Sequence, residues 1–278
     1  MKYSSLFACF AISTGCAGAD MADSLQSETS DSGTEVAVVE QPIYNGTVVN
    51  GEYSGHVALE AWSTTNNAYY TFCSATLIRN YAAVTAKHCL DGVEDLVIYA
   101  RMGSQRKQVK YRRENPDWDV GLVAFPRMFM WNWSSDKYDT FIPLLSQRNY
   151  VRKIYAGSNS SLEGKKLTCY GYGPGGVDAS LTRATFNQVT FNTDGMNPPD
   201  LLHLWTNAQN QHSQGADSGM GCGPGTSSYK TALAYVQQGH MPLVGGYSFA
   251  YGAGIESVRS WLTTQAVTLA VYVALGLL

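Results

Sequence analysis

With 278 residues and 45 % apolar content the chain can bury one large core or two smaller ones, and a formal net charge of only -3 argues against nucleic acid or an acidic membrane surface as partner. Eighteen tyrosines and 27 glycines against 15 % charged residues describe a β-rich exported protein rather than a helical cytosolic one.

The N-terminus carries Lys2, an apolar run from Leu6 to Ile12, and small residues ending in Ala17-Gly18-Ala19 before Asp20. That pattern reads as a signal peptide over residues 1–19. Ser13-Thr14-Gly15-Cys16 gives a competing reading, lipidation at Cys16, and both export the domain. Residues 20–42 hold six acidic residues, no basic one and many serines and threonines, the composition of a propeptide or linker with no core of its own. Without residues 1–42 the chain keeps 18 basic and 16 acidic residues, a net charge of +2.

Export decides how the cysteines are read. Cys73, Cys89, Cys169 and Cys222 lack the close CxxC pairs of a zinc site, so two disulfides are expected, and no metal motif occurs elsewhere.

From Ile43 onward, β-type runs alternate with turns: Thr47–Val49, the Asn50-Gly51 turn, Val57–Trp62, then Tyr69–Cys73 and Ala75–Ile78 split by Ser74, then Tyr81–Thr85. Strands this short and this regularly spaced predict barrels or a sandwich. His88 stands beside Cys89 at the end of an apolar strand and would be held rigidly if Cys89 were bridged to Cys73, 16 residues earlier. Closing such a loop is worth roughly 3 kcal/mol. Leu96–Ala100 is a further strand. Arg106, Lys107, Lys110, Arg112 and Arg113 predict a solvated edge hairpin whose charges discourage strand addition, with a polyanion site as the lesser reading.

Asp119 lies at the mouth of the apolar strand Val120–Phe125, where a carboxylate is costly unless it accepts hydrogen bonds, and a histidine ring N–H would satisfy it and be oriented by it. Asp117 precedes the strand and is the weaker candidate. The second half has β-type runs at Ile142–Leu144, Leu167–Gly173, Ala184–Phe191, Leu201–Thr206, Thr231–Val236 and Leu243–Phe249. Gln214-Gly215-Ala216-Asp217-Ser218-Gly219 sets one serine between small residues, where the backbone can turn sharply and a substrate carbonyl can approach it. A serine is a poor nucleophile until a base takes its proton, so Ser218 gains meaning only with His88 and an orienting acid. Ile255, Val258, Trp261 and Leu262 have helical spacing over about 255–265. Residues 266–278 form an uncharged, largely apolar tail, short for a bilayer span.

Residues 43–265 resemble the chymotrypsin-like, or trypsin-fold, serine proteases. The resemblance rests on Ile-Tyr-Asn-Gly at 43–46, Thr-Ala-Lys-His-Cys at 85–89, Asp-Val-Gly-Leu-Val at 119–123 and Gly-Ala-Asp-Ser-Gly at 215–219, in the family's order. It implies an all-β fold of two six-stranded antiparallel β-barrels packed together with a C-terminal α-helix. The N-terminal barrel would cover about 43–138, the C-terminal barrel about 139–254 and the helix about 255–265. It also implies a triad in which Ser218 attacks, His88 carries the proton and Asp119 orients His88, with Ser248 hydrogen-bonding the triad aspartate from the pocket wall. The backbone N–H groups of Ala216 and Ser218 would form an oxyanion hole. Implied disulfides are Cys73–Cys89 and Cys169–Cys222, and the implied activation pair is a freed Ile43 amine with Asp217.

This sequence departs from the family's pattern in three places. Ala216 stands where glycine is usual, so its Cβ would strain the backbone if that residue needed a positive φ. No Arg or Lys lies between Lys2 and Arg79, and Pro42 precedes Ile43, which excludes a trypsin-like activator. His212 occupies the position that sets Lys and Arg preference, so with Ser213, Ser248 and Ala250 it implies a pocket for apolar side chains, or for acidic ones if His212 is charged.

The expected function is an exported endopeptidase, secreted or in the cell envelope, that acts on protein or peptide substrates as a monomer, with no cofactor, metal or nucleic acid. Cys16 lipidation or the apolar tail gives a route to membrane association. The competing reading is a catalytically inactive homologue acting as a binding or surface protein, and an esterase is a smaller alternative.

Overall fold

A computed structural model describes residues 43, 45–49, 54–126, 151–173, 180–186, 189–191, 201–205, 213, 215–224, 232–244 and 247–277. The expected signal peptide 1–19, Cys16, the acidic segment 20–42, the run Ile142–Leu144 and His212 lie outside the described residues.

In chain order the strands are β1 (Thr47–Val48), β2 (His56–Ser63), β3 (Ala68–Arg79), β4 (Ala82–Thr85), β5 (Ile98–Met102), β6 (Gln105–Gln108), β7 (Tyr111–Glu114) and β8 (Gly121–Ala124). There follow β9 (Leu167–Gly171), β10 (Thr182–Phe186), β11 (Val189–Phe191), β12 (Leu201–Trp205), β13 (Gly221–Pro224), β14 (Tyr235–Val244), β15 (Tyr247–Gly254) and, as the one α-helix among the described residues, α1 (Ile255–Ala274).

The first sheet has the order β6-β5-β2-β3-β4-β8-β7, entirely antiparallel. Its two end strands are one stretch of chain. Only Val109 and Lys110 separate β6 from β7; the Val109 N–H donates to the Ile98 carbonyl and the Lys110 N–H to the Ala124 carbonyl, both at 2.8 Å. The bent strand therefore reaches both edges and closes a six-stranded barrel, so the basic run is a barrel seam and not the edge hairpin its charges suggested. The second sheet has the order β1-β10-β9-β13-β14-β15-β12-β11. It closes in the same way, since β10 pairs with β9, β11 pairs with β12, and two residues separate them. Here β1 is an addition: Thr47–Val48 pairs with β10 and so joins the C-terminal sheet, not the N-terminal one.

Alternation along the strands fills each barrel. Val57, Leu59, Leu77, Ile98, Met102, Val123 and Phe125 form the buried centre of the first, and Leu167, Cys169, Met220, Cys222 and Tyr235 that of the second. Where hydropathy alone breaks a strand at Ser74, β3 runs on. Ser74 stays in register opposite Ala58, and the irregularity falls between Leu59 and Glu60 of β2.

Between the barrels Ile78, Val84 and Leu122 meet Val236 and Ala253, and α1 packs on this layer through Ile255, Val258, Leu262 and Leu269. The i, i+3, i+4 spacing of those apolar residues places them on one face. The helix runs to Ala274, beyond the expected end near 265, because the tail continues the pattern: Ala266 and Leu269 are buried, and Tyr272 meets Tyr111 edge-on at 5.8 Å. Among the described residues, no helix is long and apolar enough to cross a membrane.

Candidate active site

His88 sits in a single 3-10 turn, Lys87–Cys89, directly after the wholly buried strand β4. Cys89 is bonded to Cys73 on β3, so the turn is fastened to the barrel wall one residue from the imidazole. Asp119 comes from a second tight turn, between β7 and β8. The buried Asn115 makes it: its side-chain oxygen accepts the Asp117 and Trp118 amides, each at 2.9 Å, and its own N–H donates to the Val120 carbonyl at 2.8 Å. Asp117 is left exposed on the outside of that turn.

The two turns meet through one carboxylate. Asp119 Oδ1 accepts the backbone N–H of His88 at 2.8 Å, and Oδ2 accepts the ring Nδ1–H at 2.7 Å. With the proton on Nδ1, the Nε2 of a neutral ring is an acceptor, the form that a general base needs. The side chain of His88 is 44 % exposed, so the ring is open to an incoming molecule. Gln238 on β14 donates to the Asp119 carbonyl at 3.3 Å, which ties the turn to the second barrel.

Ser218 follows a 3-10 turn, Gly215–Asp217, and is held through its backbone. Its carbonyl accepts the Ser74 N–H at 2.8 Å, and the next N–H, that of Gly219, donates to the Gln237 carbonyl at 2.8 Å. Gly219 has φ +82°, and a Cβ there would lie 2.2 Å from both the Ser74 carbonyl oxygen and Thr85 Oγ1, so this corner needs glycine. The Asp217 carbonyl accepts the Met220 N–H at 2.8 Å, and peptide planarity turns the Ser218 N–H the opposite way. The Cys89 sulfur lies 3.7 Å from the Ser218 carbonyl oxygen. The residue beside His88 thus touches the main chain of Ser218, 129 positions further along the chain.

These features sit in a chain whose residues 44–194 match the Trypsin family. The chain belongs to the trypsin family. The matched stretch contains His88 and Asp119 and ends before Ser218, whose place rests on the geometry above. No curated protein matches the chain. Membership carries a serine-protease-like function, with protein as the class of substrate.

Within the trypsin-family fold the other expected residues fall as follows. Cys169 and Cys222 are bonded, and they pair across β9 and β13. Ala216 lies in the 3-10 turn and is not among the residues with positive φ, so its Cβ brings no strain of that kind. Asp217 is wholly buried and its Oδ1 accepts the Gly173 N–H at 3.0 Å. A Cβ on Gly171 would lie 2.2 Å from that oxygen. Ile43 is also wholly buried, in the cluster that contains Met220. Ser213 is buried, and its hydroxyl has no hydrogen-bond partner among the described residues. Ser248 and Ala250 fall on β15, whose Ala250 is in register with Leu204 and His240.

Cys73, His88 and Cys89 bring metal-ligand types together, but both sulfurs are spent on one disulfide, which leaves a single donor. Three residues at or near the site escaped the sequence reading: Ser74, Thr85 and Gln238. The signal for Ser74 was present as the lone polar residue interrupting an apolar run, while nothing local marks Gln238.

Proposed function

We propose that the chain is an exported serine endopeptidase that hydrolyses peptide bonds through an acyl-enzyme. The observation that carries this reading is the doubly hydrogen-bonded His88–Asp119 pair, at 2.7 and 2.8 Å, beside a cysteine that touches the Ser218 backbone. Ser218 Oγ attacks the carbonyl carbon, and His88 Nε2 takes its proton and returns it to the leaving amine. Asp119 holds the tautomer and stabilises the imidazolium. The N–H groups of Ala216 and Ser218 receive the developing oxyanion, a contribution in which one donor is worth about 10²–10³-fold in rate.

Specificity falls to a pocket built from His212, Ser213, Ser248 and Ala250. The buried Ser213 hydroxyl, without a partner among the described residues, supplies it with a polar wall group. The preference is for apolar or acidic side chains over Lys or Arg. Activation pairs a freed Ile43 amine with Asp217 after a protease of non-tryptic specificity cuts behind Pro42. The protein acts as a monomer outside the cell or in the envelope, where its two disulfides persist.

The test is labelling by a fluorophosphonate probe, on the full chain and on a form beginning at Ile43. The probe should attach to Ser218 and be lost in Ser218→Ala. Failure of both forms to label would leave an inactive homologue.

A further inference from the structure

Ser74 is 1 % exposed on β3, and its three polar groups make four hydrogen bonds around the candidate site. Its N–H donates to the Ser218 carbonyl at 2.8 Å, and its carbonyl accepts Thr85 Oγ1–H at 2.8 Å. Its hydroxyl donates to the Ala216 carbonyl at 3.3 Å and accepts the Tyr172 N–H at 2.9 Å. The first two contacts belong to the main chain and Thr85, and any residue at position 74 could make them. The last two need a hydroxyl.

We propose that the Ser74 side chain is a positioning residue for the nucleophile segment, which rests on the reading of Ser218 as the nucleophile. The carbonyls of Ala216 and Ser218 lie on either side of the Asp217–Ser218 peptide, and Ser74 grips both. The bond to the Ala216 carbonyl holds the Ala216–Asp217 peptide plane, while the bonds of the Asp217 carbonyl to Met220 and of the Gly219 N–H to Gln237 hold the two planes that follow. The amides expected to receive the oxyanion are thus aimed before substrate arrives, so that no reorganisation is left for the reaction itself. The Tyr172 N–H fixes the hydroxyl rotor from the other side. One lone pair of the oxygen is taken by that amide, and the single proton is directed at Ala216. The clamp also links the segment to β9, which leads to Tyr172 and to Gly173, the donor to Asp217.

Ser74→Ala keeps the strand and the backbone bonds and deletes the clamp. The expected result is a kcat lowered by about 10–100-fold with KM within about twofold, because the contact acts on oxyanion stabilisation and not on ground-state binding. Ser74→Thr, which keeps the hydroxyl, should recover kcat to within about threefold of the starting enzyme. A kcat for Ser74→Ala within about twofold of the starting enzyme, or one that rises, overturns the proposal.

Hydrogen exchange of the peptide covering residues 215–220, followed by mass spectrometry on the full chain, gives an independent reading. Exchange should quicken at least about tenfold in Ser74→Ala and stay unchanged in Ser74→Thr. Equal exchange in all three proteins also overturns the clamp, and this outcome can be read even if the probe shows that the chain is not an enzyme.

Discussion

His88 and Asp119 share one carboxylate twice over: Oδ2 takes the ring Nδ1–H at 2.7 Å and Oδ1 takes the backbone N–H of the same residue at 2.8 Å. The second bond fixes where the histidine backbone sits, and the first fixes how its ring is turned and protonated. In Asp119→Asn the amide can present its oxygen to only one of the two donors, so the ring tautomer is no longer dictated. The expected loss in kcat is about 10⁴-fold, the size this substitution has in the template triad of the family, while the folded structure persists. Steady-state kinetics with a circular dichroism control would check it; a loss under tenfold would contradict the orienting role.

Gly219→Ala places a methyl group 2.2 Å from two oxygens that are themselves hydrogen-bonded to each other, at a φ of +82°. Backbone strain alone costs of order 1–3 kcal/mol, and the clash adds to it. Labelling of Ser218 should slow by more than about tenfold, since a shift of an ångström in a nucleophile costs about 10²-fold. Probe-labelling rates and a melting curve measured together would show both effects.

Glu60 is wholly buried on β2 and receives Arg101 Nε on one oxygen and Arg106 Nε on the other, the latter at 2.7 Å. Thr71 donates to the same carboxylate at 3.4 Å. Glu60→Gln leaves the side chain of Arg101, which is 9 % exposed, without its anion. Breaking one side of a buried ion pair costs about 3–5 kcal/mol. For a domain of this size that is a melting temperature lower by roughly 6–20 °C, readable by calorimetry.

His56 supplies the pH dependence. It is buried at the barrel interface, stacked on Tyr170 at 4.6 Å, with Arg152 donating to Nε2 at 3.1 Å. Nδ1 therefore carries the proton and faces Thr76 Oγ1 at 3.2 Å. Burial, then the nearby Arg152 cation, hold the ring well below its ordinary value of 6.5. The unfolded ring takes up a proton below about pH 6.5 and the folded ring does not, so the contribution is complete above that pH and is lost as pH falls. The slope approaches about 1.4 kcal/mol per pH unit. His56→Gln should flatten this part of a stability curve measured between pH 4 and pH 7, and an unchanged slope would contradict it.

Much of this was legible in the chain. Short β-type runs, the His88-Cys89 pair after an apolar strand, and Asp119 before another are local patterns that physical chemistry links to strands, a fastened turn and a carboxylate in need of a donor. What was not legible depended on partners distant in sequence. The charges of the run 106–113 suggested a solvated edge, and only the bonds of Val109 and Lys110 to opposite edges reveal that it closes a barrel. Ser74 looked like a strand break because hydropathy cannot see the buried carbonyl and amide that satisfy its hydroxyl. The helix outran its expected end because the apolar tail finds Tyr111 and the interbarrel layer to pack against.

The seam has a consequence for the molecule in adversity. If heat unzips the N-terminal barrel at its bent strand, the row of peptide groups that this strand bares is bordered by Arg106, Lys107, Lys110, Arg112 and Arg113. Two molecules opened in this way meet cation to cation. Such repulsion favours re-closure over clumping in dilute buffer, and it fades as salt shortens its reach below about 10 Å.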